Sequence, residues 1–216
     1  GARSPSNQLT QVEDAITRRI DGIILNPIDV EALVPAVKEA NRAGVPVATT
    51  DRDVSGGDRL AYFGTNNVKA AEVEAREAVE AVRAAHKWSS SHQAKPFRVA
   101  ILEGVPGSSA GNERKEGVHN YLDPLVEEGE VEIVADLPGD FTKPDGLSAM
   151  EDVLSRTQDI DAVICTNDNM AMGAITALEE AGLEVGFPDG VIVAGLDGQP
   201  FAFDALREGT LTTTIA

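Results

Sequence analysis

Short apolar runs alternate with amphipathic helical patterns along the whole chain, and this alternation constrains the fold more than any other feature. Runs of strand length, such as 45–50, 97–102 and 191–196, are each followed by a segment whose apolar residues recur with the period of a helix. Strands that are joined through helices lie parallel, because the crossover helix returns the chain to the same edge of the sheet. The sequence therefore predicts an α/β fold of parallel sheets with helices on both faces.

This alternation predicts a helix or a strand for most of the chain. The predicted helices span residues 8–20, 30–43, 67–85, 110–126, 144–158, 170–181 and 201–208. The predicted strands span residues 22–26, 45–50, 60–65, 97–102, 131–137, 162–166, 191–196 and 211–215. Residues 86–96 include three consecutive serines and predict a surface loop. These strands are too many for one sheet, so we expect two lobes, residues 1–65 and 66–216.

Charge and composition exclude several classes of protein. The formal net charge of −18 argues against a nucleic-acid partner, because affinity for nucleic acids comes largely from Lys and Arg side chains that neutralise phosphates. No apolar run approaches the roughly 20 residues that a membrane-spanning helix needs. The single cysteine, Cys165, lies in an apolar strand and is expected to be a small core residue.

Polar side chains follow nearly every predicted strand. In open parallel sheets, ligands bind at the carboxyl ends of the strands. The residues found near these ends are Asn26, Asp51, Arg52, Thr65, Asn66, Asn67, Arg114, Asp140, Phe141, Asn167, Asp168 and Asp197. Asn donates and accepts, Asp accepts from hydroxyls and Arg donates through a rigid fork, so the set suits a neutral ligand with many hydroxyl groups. Each Asn or Asp of the set, taken alone, has an equally good interpretation as a helix cap or turn former, and Asp168 in particular is interpreted as a cap.

Signatures of catalysis are missing from the sequence. It contains no Gly-x-Ser-x-Gly elbow, no phosphate-binding loop ending in Gly-Lys-Ser/Thr and no His-Glu-x-x-His motif. The loop at 104–107 lacks the three glycines of a dinucleotide site. His86, His92 and His119 fall in polar segments and are interpreted as solvated surface residues. No catalytic residue, metal ligand or cofactor is therefore predicted.

Five segments together resemble the ribose-binding proteins of bacterial ABC transporters. They are residues 23–27, 45–52, 107–117, 166–174 and 195–200, and their order and spacing fit across nearly the whole chain. The resemblance implies a type I periplasmic-binding-protein-like fold with two doubly wound parallel-sheet lobes. It also implies a periplasmic or extracytoplasmic solute-binding protein that closes on a sugar or polyol and delivers it to a membrane permease. A chemoreceptor or a sensor kinase is a further partner of such proteins, and sequence does not separate sensing from transport.

The resemblance also assigns roles to particular residues. The positions that line the cleft in that family match Asn26, Asp51, Arg52, Thr65, Arg114, Phe141, Asn167 and Asp197. By this carry-over Arg114, Asp51 and Asp197 bind hydroxyls, Phe141 stacks on the sugar ring, and Asn26 and Asn167 add hydrogen bonds from opposite lobes. Arg114→Ala is then expected to abolish the response to sugar with little change in the melting temperature of the ligand-free protein. Ribose, another pentose, a hexose and a linear polyol all fit this set.

The chain departs from the family pattern in two respects. Leu196 stands where the family usually has Phe, which removes one aromatic wall. The family pattern also starts earlier and runs on later, so the N-terminal lobe is expected to be incomplete, lacking its first strand and helix. A parallel sheet that lacks its central strand exposes apolar faces and unpaired edges. We therefore expect this chain on its own to bind sugar weakly or not at all.

Two other functions remain open from the sequence. The effector domain of a LacI-type repressor shares the fold, but it would carry a DNA-binding helix-turn-helix, which the sequence does not contain. The run Gly198-Gln199-Pro200 resembles the transport proteins more than the repressors. An enzyme on a similar doubly wound fold would need a base or nucleophile with a matched partner at a strand end, and none is recognised.

Overall fold

The computed structural model describes residues 4–88 and 96–216. Contacts within the chain divide it into two units. Unit 1 comprises Gly1–Asn66 with Gly107–Asn112, and unit 2 comprises Asn67–Pro106 with Glu113–Ala216. Among the described residues, no helix combines the length and the apolarity needed to cross a membrane. The division into lobes at residue 65 stays a prediction.

Unit 1 is a small three-stranded parallel sheet with two helices. Its elements are α1 (Pro5–Thr17), β1 (Ile23–Leu25), α2 (Val34–Arg42), β2 (Val47–Thr50) and β3 (Ala61–Phe63). The strand order is β1-β2-β3, with both pairs parallel. A single apolar core that includes Leu33, Val37 and Val47 fixes the helices on the sheet. Ile24 on β1 and Phe63 on β3 stay 80% and 67% exposed, so both edge strands of this sheet present apolar side chains to solvent.

Unit 2 contains a five-stranded parallel sheet. Its elements are α3 (Asn67–Trp88), β4 (Phe97–Glu103), α4 (Ser109–Glu127, whose first four residues group with unit 1), β5 (Val131–Pro138), α5 (Lys143–Leu154), β6 (Ala162–Cys165), α6 (Asp168–Glu180), β7 (Ile192–Leu196), α7 (Pro200–Glu208) and β8 (Thr213–Ile215). The strand order is β5-β4-β6-β7-β8. The chain therefore changes direction across the sheet between β4 and β6, and ligands of such sheets bind outside the carboxyl ends of the strands at this switch point.

The core of unit 2 has one apolar layer on each face of its sheet. Every residue of β6 is buried, as a central strand covered on both faces requires. Cys165 lies fully buried in one layer, which confirms its predicted place in the core. Leu196 is only 3% exposed and lies in the other layer.

Each predicted helix and strand has a counterpart in the structure, and the predicted α/β class with parallel sheets is confirmed. The predicted loop at 86–96 is wrong at its start, because α3 continues through Trp88. Residues 89–95, including His92, lie outside the described residues. Helix α6 begins at Asp168, two residues earlier than predicted, because its capping residue is Asn167.

Candidate functional site

Unit 1 brings three of its four predicted ligand-binding residues together. Asn26 Nδ2 donates to Asp51 Oδ2 at 3.1 Å, and Arg52 Nε lies 3.9 Å from the same oxygen. The Tyr62 hydroxyl donates to the main-chain oxygen of Asp51 at 3.2 Å. The fourth residue, Thr65, is exposed two residues beyond β3. The carboxyl ends of β1 and β2 therefore present one amide, one carboxylate and one guanidinium at a single place.

Unit 2 holds Arg114 at the centre of its polar strand ends. The residue is only 8% exposed. Its Nη2 lies 2.9 Å from Asp197 Oδ1, its Nη1 donates to the main-chain oxygen of Thr166 at 2.8 Å, and its Nε donates to Asn67 Oδ1 at 3.0 Å. A guanidinium held at three points keeps one orientation, so its remaining N–H groups are aimed before a ligand arrives.

Phe141 lies directly beside this guanidinium. The Arg114 Cζ atom is 5.4 Å from the centroid of the Phe141 ring, within the range of a cation–π contact. Gly104 packs against the Phe141 ring, because a Cβ added at Gly104 would overlap the ring. Asn167 Nδ2 donates to the main-chain oxygen of Phe141 at 3.2 Å. The four predicted residues of unit 2, Arg114, Phe141, Asn167 and Asp197, are thus brought together.

The helix cap at the start of α6 differs from the sequence prediction. Asn167, and not Asp168, is the capping residue, because its Oδ1 accepts from Met170 N at 2.9 Å. The interpretation of Asp168 as the cap is therefore wrong. The Asp168 carboxylate instead binds the loop after β7 and strand β8. Both side-chain atoms of Asn167 that can form hydrogen bonds already have a partner within unit 2.

Asn67 belongs to the site and was not among the predicted ligand-binding residues. It is 2% exposed, accepts from Arg114 Nε, and donates through Nδ2 to Glu113 Oε2 at 2.8 Å. Asn67 therefore links Arg114 to the carboxylate of Glu113, which lies on the same helix, α4, as Arg114. The signal for Asn67 in the sequence is its position shortly after β3, close to Thr65.

Glu74 is a second residue that sequence reasoning missed. It is fully buried, and neither of its carboxyl oxygens has a hydrogen-bond partner among the described residues. Burial raises its pKa well above the usual range, the charge of Arg114 lowers it, and Asp168 and Asp197 raise it further. Its signal in the sequence is a single acid among the alanines and valines on the buried face of α3. Burial therefore favours the neutral form of Glu74, and the charges of Arg114 and Asp197 both act on it.

The backbone at the strand ends is unusual. Asp51, Asp140, Phe141 and Asp197 have φ values of 64°, 51°, 61° and 124°. Non-glycine residues seldom adopt such values, and each one costs roughly 1–3 kcal/mol unless its surroundings enforce it. Residues of this kind concentrate at functional sites. The strain therefore coincides with three of the predicted ligand-binding residues.

His119 is not the solvated surface residue that the sequence suggested. Its Nδ1 lies 2.9 Å from Asp123 Oδ1, and its Nε2 lies 3.1 Å from Asp136 Oδ2. Partial burial would lower the pKa of His119, but the two carboxylates outweigh it and the pKa is raised. Lys115 also contacts Asp136, with Nζ 3.2 Å from Oδ2, and contacts Glu103. These residues fasten α4 to β4 and β5.

Replacing His119 with glutamine is expected to destabilise the protein in a pH-dependent way. The raised pKa means that the imidazolium is favoured in the folded state, so its contribution is full below the pKa of the unfolded chain. This contribution is lost as pH rises through the folded pKa. We expect a loss of about 1 kcal/mol, or 2–4 °C, at pH 5.5 and a smaller loss at pH 9. Thermal melts at both pH values test this, and an equal loss at both would contradict it.

Polar and aromatic side chains at the carboxyl ends of parallel strands are typical of sites for small polar ligands. The chain belongs to the family described as periplasmic binding protein domain, whose model matches residues 1–216. The resemblance to ribose-binding proteins drawn from the sequence is confirmed by the relatives. The ribose import binding protein of Bacillus subtilis is 35% identical over 98% of the chain, and the Escherichia coli protein of that name is 32% identical over 99%.

Solved structures agree with this assignment. An ABC transporter solute-binding protein of Actinobacillus succinogenes with bound D-allose matches with a TM-score of 0.80 and 29% identity, over 99% of this chain and 71% of that one. The myo-inositol binding protein of Caulobacter matches with a TM-score of 0.80 and 28% identity, over 98% of this chain and 67% of that one. The chain spans 62% and 65% of the length of the two ribose-binding relatives.

Proposed function

We propose that the protein is a solute-binding protein that captures a monosaccharide or polyol without transforming it. The observation that carries this proposal is the Arg114–Asp197 pair, 2.9 Å apart, in which a buried guanidinium meets a partly exposed carboxylate beside the Phe141 ring. The guanidinium donates to hydroxyl oxygens, the carboxylate accepts from hydroxyl hydrogens, and the aromatic face covers the C–H side of a sugar ring. Relatives of the chain bind ligands of the same class: ribose in the ribose import binding protein, D-allose in the protein of Actinobacillus succinogenes and myo-inositol in that of Caulobacter.

The charges of the site favour a neutral ligand. Arg114 and Asp197 in unit 2 offset each other, and Arg52 and Asp51 in unit 1 do the same. A charged ligand would meet no uncompensated partner in either pair, whereas hydroxyl groups can bond to both members of each. We propose all eight predicted residues as ligand contacts: Asn26, Asp51, Arg52, Thr65, Arg114, Phe141, Asn167 and Asp197.

Delivery to a membrane permease is the finer part of the proposal. The relatives named ribose import binding proteins and ABC transporter solute-binding proteins support uptake through an ABC transporter. The family name supports a periplasmic or extracytoplasmic location. We therefore place the protein outside the cytoplasmic membrane, with a permease as its partner and a chemoreceptor or sensor kinase as a second class of partner.

A thermal-shift panel on the whole natural protein tests the binding function. D-ribose, D-allose and myo-inositol are compared with free amino acids as controls. Ligand that binds only the folded state at 100 times its Kd stabilises by about 2.7 kcal/mol, which is about 5–10 °C for a protein of this size. We expect at least one sugar or polyol to raise the melting temperature and the amino acids to leave it unchanged. A rise with amino acids alone would reject the proposal.

A further inference from the structure

Asp168 holds two neighbouring elements with its carboxylate. It is the first residue of α6, and no part of it is exposed. Its Oδ2 accepts from the main-chain N–H of Gln199 at 2.7 Å, and its Oδ1 accepts from the Thr214 hydroxyl at 2.7 Å. Since Asn167 already caps α6, the Asp168 side chain serves contacts outside its own helix. These contacts lie in the loop after β7 and in β8.

Both contacts act on the backbone that follows Asp197. Gln199 is two residues beyond Asp197, and the Thr214 hydroxyl that donates to the carboxylate also accepts from Gly198 N at 3.2 Å. Asp168 therefore holds Gln199 directly and Gly198 through the Thr214 hydroxyl. Asp197 itself has φ 124°, a strained conformation for a residue with a side chain. This conformation needs the surrounding contacts in order to persist.

We propose that Asp168 is a positioning residue, which keeps Asp197 in its strained conformation so that the Asp197 carboxylate meets Arg114. In this conformation Asp197 Oδ1 lies 2.9 Å from Arg114 Nη2. Asp168 acts on a bound ligand only through these two residues. The inference rests on the proposed function of the Arg114–Asp197 pair in binding sugars or polyols.

The strand beside Asp168 is shaped to admit its carboxylate. A Cβ added at Gly195 on β7 would lie 2.5 Å from Asp168 Oδ1, so any other residue at this position would displace it. Burial raises the pKa of Asp168, while the hydrogen bonds from Gln199 and Thr214 oppose that rise. The titratable or charged groups that act on it from α3, α4, β6 and the loop after β7 are Glu74, Arg114, Cys165 and Asp197. Protonation of the Asp168 carboxylate would therefore weaken its ability to accept both hydrogen bonds.

The substitution Asp168→Asn in the whole natural protein tests this role. Asn keeps the shape of Asp, but its amide nitrogen cannot accept, so one of the two hydrogen bonds is lost. We expect at least a tenfold weaker Kd for whichever of D-ribose, D-allose and myo-inositol binds the wild type, measured by calorimetry. The wild-type affinity should also fall at acid pH as Asp168 gains a proton, and this step should be missing in the variant. Asp204→Asn, an exposed acid on α7, is the matched control and should bind as the wild type does.

Crystal structures of the ligand-free variant separate this inference from the proposed function. In Asp168→Asn we expect Asp197 to relax from its positive φ and its distance to Arg114 to lengthen. If no sugar binds the wild type, the proposed function fails, and this geometry alone decides the positioning role. If Asp168→Asn does not fold, Thr214→Val removes the other contact and should weaken binding in the same direction. Unchanged geometry and affinity in whichever variant folds would overturn the inference.

Discussion

Replacing Arg114 with alanine is expected to abolish the response to sugars and polyols and to lower the melting temperature of the ligand-free protein. The first effect follows because charged hydrogen bonds contribute about 1.5–3 kcal/mol each, so losing two weakens binding by at least roughly 100-fold. The second follows because the side chain is 8% exposed and bonded at three points. Its removal leaves Asp197 and the Thr166 carbonyl without their partner.

This expectation revises the one drawn from the sequence, in which the ligand-free protein was to keep its melting temperature. Breaking a fully buried ion pair by removing one member costs about 3–5 kcal/mol. Because the Asp197 side chain is 25% exposed, we expect a smaller loss of about 1–3 kcal/mol, or roughly 2–12 °C at this size. Thermal melts and calorimetry with the sugar panel measure both effects. Arg76→Ala on the exposed side of α3 is the control for the loss of a surface arginine. A sugar response that survives in Arg114→Ala would remove this residue from the site.

A paired substitution separates stability from binding. Arg114→Met with Asp197→Leu replaces the ion pair by apolar side chains, an exchange that is often neutral or stabilising where the pair is buried. We expect the double variant to recover much of the melting temperature lost in Arg114→Ala, and still to give no thermal shift with any sugar. A restored sugar response in the double variant would show that the pair is structural only.

The fold followed from the sequence because local signals and tertiary packing agree. The fully buried strand β6 is a continuous apolar run, and α5 begins where Thr142 caps it and Pro144 stands in its first turn. The class of the fold and the order of its elements were therefore predicted correctly. The end of α3 was missed because polar residues near 86 are typical of a loop, yet tolerated on the face of a long helix.

The sequence predicted that Arg114, Phe141 and Asp197 lie near the carboxyl ends of parallel strands, and the structure brings these three residues together. Their role in binding a ligand stays a prediction, and the contacts that support them were not predicted. The roles of Asp168 and Asn67 depend on partners that are distant in sequence, such as Thr214 for the former. No local pattern distinguishes an aspartate that caps a helix from one that reaches to another strand.

Replacing Glu74 with methionine is expected to stabilise the protein at neutral pH. Burial raises the pKa of Glu74 well above its usual range, so the folded state binds the proton more tightly than the unfolded chain does. The contribution of this proton to stability is full below the pKa of the unfolded chain, and it is lost as pH rises toward the pKa of the folded state. The loss is about 1.4 kcal/mol for each pH unit between the two pKa values. Methionine has a similar length and leaves no polar atom without a partner.

Melting temperatures of wild type and Glu74→Met between pH 4 and pH 8 check this expectation. We expect the gain in melting temperature to be smallest at pH 4 and to grow by about 3–6 °C per pH unit above the pKa of the unfolded chain. Glu77→Met, on the solvent side of the same helix with its side chain 46% exposed, is the matched control and should show no such trend. A Glu74→Met variant that melts below wild type at pH 7, or that keeps the wild-type slope with pH, would mean that Glu74 is ionised and held by a partner in the folded state.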